Sequence, residues 1–234
     1  MLFHSSYFLF LFLPIVLILY FVTGKYYKSL YEYILVAAGI FFYAYWDIFL
    51  SPIIIISIIC NFSLGNLIKK NIDKNKKKKI LIFSIIFNII FLAIFKYADF
   101  LIQNLNFFLN TKIDLVNLPF PLAISFVTFQ TIAYLVDCYE GNIEKNNLIR
   151  YSLFVIFFPQ LIAGPIVKYN HMMSQFCNVN NRIFNYRNFN LGLIIILIGL
   201  SKKIFLADNL ATLVEYGFLN YENLSFYESW LTSL

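Results

Sequence analysis

Charge is what this chain has least of: only 13% of its 234 residues are Asp, Glu, Lys or Arg. Histidine is rarer still, at His4 and His171, which excludes a histidine-rich metal cluster. The three cysteines, Cys60, Cys138 and Cys177, are odd in number and far apart, so they mark neither a disulfide framework nor a metal site. The first residues lack a basic start and a small-residue cleavage site, and residues 7–23 therefore read as a first membrane helix, not a signal peptide. No internal repeat, flexible linker or second soluble domain is visible.

What is present is apolar. Hydrophobic residues make up 61% of the chain and aromatics 20%, with a mean hydropathy of +0.75. A soluble domain of this length cannot hide so much apolar surface, because core growth is limited by the surface-to-volume ratio. The expected fold class is an all-α polytopic membrane protein. The net charge of +6 does not point to nucleic acid, since the basic residues cluster at membrane boundaries, where the positive-inside effect explains them.

A helix that crosses hydrocarbon needs about 20 mostly apolar residues. The candidate segments are 7–23, 31–46, 48–68, 80–95, 120–136, 150–167 and 189–206. Only Trp46-Asp47 separates the second and third, and Pro52 enters the next helix, which predicts a tight helical hairpin. Tyr43, Tyr45 and Trp46 fit an aromatic belt. Residues 97–112 mix apolar and polar positions at helical spacing and read as a separate helix along the membrane surface.

Loop charge orients these segments. Residues 69–79, KKNIDKNKKKK, hold seven lysines against one aspartate and mark the cytoplasmic side, which puts the N terminus outside. A full crossing by 150–167 would place Lys168, Arg182 and Arg187 outside, and Asp208, Glu215, Glu222 and Glu228 inside. A segment that dips in and returns at its Pro/Gly break keeps the basic loop inside. The expectation is therefore about six transmembrane helices plus one re-entrant, broken helix, with both termini outside.

Within that frame, PQLIAGPI (159–166) is the strongest local signal. Pro159, Gln160, Gly164 and Pro165 interrupt apolar sequence, and broken backbone at membrane depth is tolerated only inside protein or beside a wet cavity. It is either the wall of a reaction chamber or a kink whose freed carbonyls find neighbouring donors. PLAISFVTFQ (121–130) sets Ser125 with Phe129, and Phe126 with Gln130, four residues apart. These polar groups either bond adjacent helices or line a channel with aromatic walls. Lys202 and Lys203 close an apolar run and either snorkel to an interface or contact an anionic group. His171 lies in a polar, basic loop without a carboxylate partner in sequence and reads as an interfacial residue. The lysine run could also meet anionic lipid head groups, although its topogenic role suffices.

The stretches FPLAISFVTFQTIAYLVDCYEG (120–141), FFPQLIAGPIVKY (157–169) and GLSKKIFLADNLA (199–211) resemble the membrane-bound O-acyltransferase family, most closely its alginate O-acetyltransferase-like bacterial branch. The resemblance runs from about Phe41 onward and implies a partial fold of that family in one membrane-embedded domain over 1–234. It implies an O-acyltransferase, with no bound cofactor, that takes an acyl thioester such as acetyl-CoA as co-substrate. The acceptor would be an extracytoplasmic polysaccharide, with periplasmic or extracellular helper proteins, at a bacterial cytoplasmic membrane. The implied channel residues are Ser125, Phe126, Phe129, Gln130, Pro159, Gln160, Gly164 and Pro165, with Lys202 and Lys203 for an anionic group. The family's catalytic histidine lies beyond residue 234, and His171 does not match it. The expectation is an N-terminal half that is inactive alone. A non-catalytic scaffold or relic in a polysaccharide complex is the alternative, and a small transporter, which would also use broken helices, is a further one.

Overall fold

A computed structural model describes residues 2–27, 30–143, 146–162 and 164–233, the Leu213 side chain excepted. Every regular element among the described residues is helical. The chain divides into two units, Met1–Ile183 and Phe184–Leu234.

The first unit contains α1 (Phe8–Tyr26), α2 (Leu30–Trp46), α3 (Ser51–Lys70), α4 (Lys74–Leu109), α5 (Ile124–Glu140), α6 (Leu148–Ile156), α7 (Phe158–Leu161) and α8 (Tyr169–Cys177). The second contains α9 (Tyr186–Leu219) and α10 (Phe226–Ser233). By length and composition, α1, α3, α4 and α9 can each cross a membrane, and α2 is a shorter apolar helix.

Local chemistry accounts for the boundaries. A π-turn at Phe8–Phe12 precedes Pro14, which lacks the N–H that an α-helix would aim at the Phe10 carbonyl. The expected hairpin between α2 and α3 is present: Asp47 Oδ1 accepts from the Phe49 and Leu50 amides at 2.8 and 3.3 Å, and Pro52 sits in the first turn of α3. The expected division of α4 is absent. No proline or glycine falls between Lys74 and Leu109, so one helix of about 54 Å runs through Lys96 and Tyr97. It stops at Asn110, whose φ of 49° is left-handed. Beyond it, Asp99 Oδ1 accepts from the Val116 amide at 2.8 Å and so folds the following loop back along the helix.

In the core, α5 packs on α3 and α4, while α6 packs on α2 and α3, and α1 covers α2. Buried tyrosines fill the centre: Tyr134 lies 4.3 Å from Tyr151 and 5.5 Å from Tyr169, centroid to centroid. Between α3 and α4, Asn61 and Asn88 exchange amide hydrogen bonds of 2.7 and 3.2 Å. Their remaining donors reach the Ser57 and Ser84 carbonyls one turn earlier. Both side chains are buried.

Contacts between distant segments define the two ends of this unit. At one end Arg150 Nε lies 3.0 Å from Glu32, Lys69 Nζ donates to Asn146 at 3.2 Å, and Arg182 sits 4.4 Å above the Tyr31 ring. That end holds Lys25, the seven lysines of 69–79, Arg150 and Arg182. The opposite end carries Asp47, Asp99 and Asp114 with Lys96 and Lys112.

Residues 148–182 leave the basic end and come back to it. Phe158 reaches Phe12 and Phe42 at centroid distances of 5.0 and 5.8 Å. Eleven residues of α2 separate Tyr31 from Phe42, so the excursion is about 16 Å deep, roughly half of a hydrocarbon layer. Phe157 then packs on Phe176 at 5.2 Å, and the Tyr31 hydroxyl lies 3.2 Å from the Phe176 carbonyl. The path is that of a hairpin.

In the second unit α9 changes pitch through a π-turn at Lys202–Ala207. A reciprocal cap opens α10: Glu228 accepts from the Ser225 amide and hydroxyl at 2.8 and 2.6 Å. These bonds hold the Glu228 carboxyl below the usual carboxylate range.

The amide pair of α3 and α4 supplies a stability test. Asn61→Leu orphans the Asn88 amide and is expected to cost about 1–3 kcal/mol, whereas Asn61→Leu with Asn88→Leu costs less than the sum of the single changes. Unfolding midpoints in detergent measure both.

Candidate functional site

The site grows out of the break in the hairpin. Phe157 takes extended backbone angles (φ −61°, ψ 103°), and Pro159 has no N–H to continue the ladder. Gln130 Nε2, from α5, donates to the Phe154 carbonyl at 2.8 Å. Further along, Gln160 Nε2 donates to the Pro165 carbonyl at 2.8 Å, and its backbone carbonyl accepts from Gly164 N at 2.9 Å. The two glutamines therefore supply side-chain donors to carbonyls that the broken helix leaves without backbone donors. Ala163, inside the same motif, lies outside the described residues.

Two glycines make the geometry possible. A Cβ on Gly164 would lie 2.2 Å from Gln160 Cγ and 2.7 Å from its carbonyl oxygen. A Cβ on Gly39 would lie 2.3 Å from the Ile156 carbonyl oxygen, so α2 admits the end of α6 only because it has hydrogen there.

Between the hairpin and α1 lies a cavity of about 320 Å³. Tyr20, Phe157, Gln160, Val167, His171 and Met172 contribute to its wall. The lining is aromatic and neutral-polar, a combination that suits an uncharged chain with a few hydrogen-bonding groups. Two buried polar atoms nearby have no partner among the described residues: Gln130 Oε1 and the Tyr169 hydroxyl. Both side chains adjoin Phe154, through the Gln130 hydrogen bond and a Tyr169–Phe154 centroid distance of 5.3 Å.

The residues singled out in the sequence do not form one surface. Gln130 is buried, Ser125 and Phe126 are half-buried, and Phe129 is 55% exposed on another face of α5. Gln160 and Gly164 are half-buried at the break, with Pro159 and Pro165 exposed beside them. Of this set, Gln160 lines the cavity, together with His171. Lys202 and Lys203 belong to the second unit, where Lys203 pairs with Asp208 and Lys202 is exposed.

A charged cluster at the base of the hairpin escaped the sequence reading. Glu32 is only 5% exposed and is held by Arg150 Nε at 3.0 Å and the Tyr31 hydroxyl at 2.8 Å. Arg182 donates to the Cys177 carbonyl at 3.1 Å and to the Phe176 carbonyl at 3.3 Å. An acid in the first turn of an apolar helix was the available signal, since buried charge in such segments requires a partner.

A helical membrane bundle broken by PQLIAGPI at a half-depth hairpin points to one class, and the comparison with family models bears this out. Residues 40–233 match the membrane-bound O-acyltransferase family, and the chain belongs to it. It is 39% identical to the peptidoglycan O-acetyltransferase of Helicobacter pylori, with all of this chain and 50% of that protein covered. It is 33% identical to the probable alginate O-acetylase AlgI of Pseudomonas aeruginosa, over all of this chain and 45% of that protein. A shorter similarity, 29% identity over 25% of this chain and 14% of its counterpart, links it to the teichoic acid D-alanyltransferase of Lacticaseibacillus rhamnosus. The chain spans about half the length of the first two relatives. No solved structure matches it.

Two substitutions test the backbone account. Gln130→Leu strips the Phe154 carbonyl of its donor and is expected to lower stability by about 1–3 kcal/mol. Gly39→Ala forces α6 away from α2 and is expected to lower the melting temperature more than Gly192→Ala in α9, where a Cβ meets nothing within 4 Å. Thermal unfolding in detergent reads both.

Proposed function

We propose that residues 1–234 form part of a membrane O-acetyltransferase that moves an acetyl group from a thioester donor to hydroxyls of an extracytoplasmic polysaccharide. The observation that carries this reading is the PQLIAGPI break, set at half-depth in a bundle whose sequence matches the acyltransferase family over 40–233. The relatives' names, a peptidoglycan O-acetyltransferase and a probable alginate O-acetylase, support a polysaccharide acceptor.

The membrane setting gives the reaction its direction. The lysine-rich end faces the cytoplasm by the positive-inside effect, which places the N terminus outside and the hairpin entering from the cytoplasmic side. Thioester donors are made on that side and the polymer accumulates on the other. A hairpin that penetrates halfway brings the donor's acyl carbon toward the acceptor across a thinned barrier. The cavity beside Gln160 and His171 is the candidate donor path, and Gln130 supports it from α5 by holding the Phe154 carbonyl.

Acyl transfer to a hydroxyl also needs a base that takes the hydroxyl proton. His171 is exposed, and no described residue hydrogen-bonds its imidazole. An imidazole without an orienting partner is poorly arranged for that task. In this reading the base comes from outside residues 1–234, and these residues alone are inactive. Lys202, as the exposed cation of its pair, is available to an anionic group. The bacterial cytoplasmic membrane is the proposed location, with extracytoplasmic helper proteins completing the polymer modification.

Membranes containing residues 1–234 alone, and membranes that also carry the C-terminal half of a relative, are supplied with labelled acetyl-CoA. Incorporation into surface polysaccharide is expected only with the second half present. Incorporation by 1–234 alone would overturn the external base and make His171 the first residue to replace. No incorporation in either case, with insertion verified, would favour a non-catalytic scaffold.

A further inference from the structure

Both legs of the hairpin are fastened to two adjacent residues of α2. The outgoing leg starts at α6, where Arg150 Nε lies 3.0 Å from Glu32. The returning leg finishes at the end of α8, where the Phe176 carbonyl lies 3.2 Å from the Tyr31 hydroxyl. That hydroxyl is also 2.8 Å from Glu32, so the two fastenings share one hydrogen-bonded group. Arg182 completes the closure: its guanidinium stacks 4.4 Å above the Tyr31 ring and donates to the last carbonyls of α8. Those carbonyls are the ones a helix end leaves without intrahelical donors.

We propose that Glu32 and Arg150 form a positioning latch, which closes the base of the hairpin and thereby holds Gln160 and His171 at the cavity. The inference rests on the acyltransferase reading only for what the cavity does, not for the latch itself. Glu32 is buried while Arg150 is about one-third exposed, so the carboxylate is the partner that cannot be left alone. Without it Arg150 turns to solvent, and the Tyr31 hydroxyl, whose one proton is shared between Glu32 and the Phe176 carbonyl, loses the carboxylate that fixes its position, so the base of the hairpin loosens. The tyrosine stack of Tyr134 and Tyr151 makes its own ring contacts at 4.3 Å and is expected to keep the rest of the bundle closed.

The native thiols allow a direct test. Cys177 is exposed and serves as the reference for labelling, whereas Cys138 is fully buried in the core and reports global opening. Met173, buried on α8, is replaced by Cys to report lifting of the returning leg. In membranes carrying the chain, Glu32→Gln is expected to raise maleimide labelling at Met173→Cys by about tenfold, as for loss of one hydrogen-bonded partner. Cys138 stays protected, and Glu32→Asp restores most of the protection. In the acetyl-transfer assay with the second half supplied, the same Gln variant is expected to lose about tenfold in rate and the Asp variant to recover it.

Unchanged labelling at Met173→Cys in Glu32→Gln would overturn the latch, as would parallel exposure of Cys138, which would make Glu32 a general support of the fold. Full transfer activity in Glu32→Gln despite a loosened leg would also overturn the positioning role. Absence of transfer by the unsubstituted protein would count against the acyltransferase reading alone, because the labelling decides the latch without it.

Discussion

Everything in the first unit depends on the cost of an unpaired backbone carbonyl away from water. A helix meets that cost internally, which is why each regular element among the described residues is helical. The break at Phe157 forfeits this protection, and the surroundings are arranged around the deficit. Gln130 reaches across from α5 to the Phe154 carbonyl, Gln160 turns back to Pro165, and Gly39 lets the Ile156 carbonyl lie against α2. A polar side chain within this core is thus first a backbone partner.

The distribution of charge follows the same economy of partners. Basic residues gather at one end of the unit, where most can reach water, and the buried acid among them, Glu32, is matched by Arg150. The Asn61–Asn88 pair solves the equivalent problem between α3 and α4 without charge. Because a neutral amide offers both donors and acceptors, two of them can satisfy one another. A carboxylate cannot, and so it draws an arginine from 118 residues further along the chain.

That separation explains what the sequence could and could not disclose. The apolar segments, the α2–α3 hairpin and the interruption at PQLIAGPI are local signals of length, proline and glycine, and each was readable. So was the family, because its motifs lie in those same interruptions. The continuity of α4 is not legible, since polar residues at Lys96 and Asp99 imitate a boundary although neither breaks a helix. The fastening of Glu32 and the target of Gln130 were invisible for another reason. Gln130 binds a backbone carbonyl, which has no residue type, and Arg150 meets Glu32 only after α3, α4 and α5 have been threaded between them.

The π-turn in α9 has a consequence for how that helix tolerates change in length. Five residues separate Lys203 from Asp208, and in an α-helix such residues point about 140° apart around the axis. The wider turn at Lys202–Ala207 rotates them onto one side, where they pair. Deleting one residue there and returning to regular pitch would leave Lys203 and Asp208 four residues apart, about 40° around the axis, so the face presented after Ala207 would keep nearly the same aim. The π-turn therefore takes up one residue without loss of phase. A deletion in a regular turn of the same helix has no such slack and would re-aim everything beyond it by about 100°.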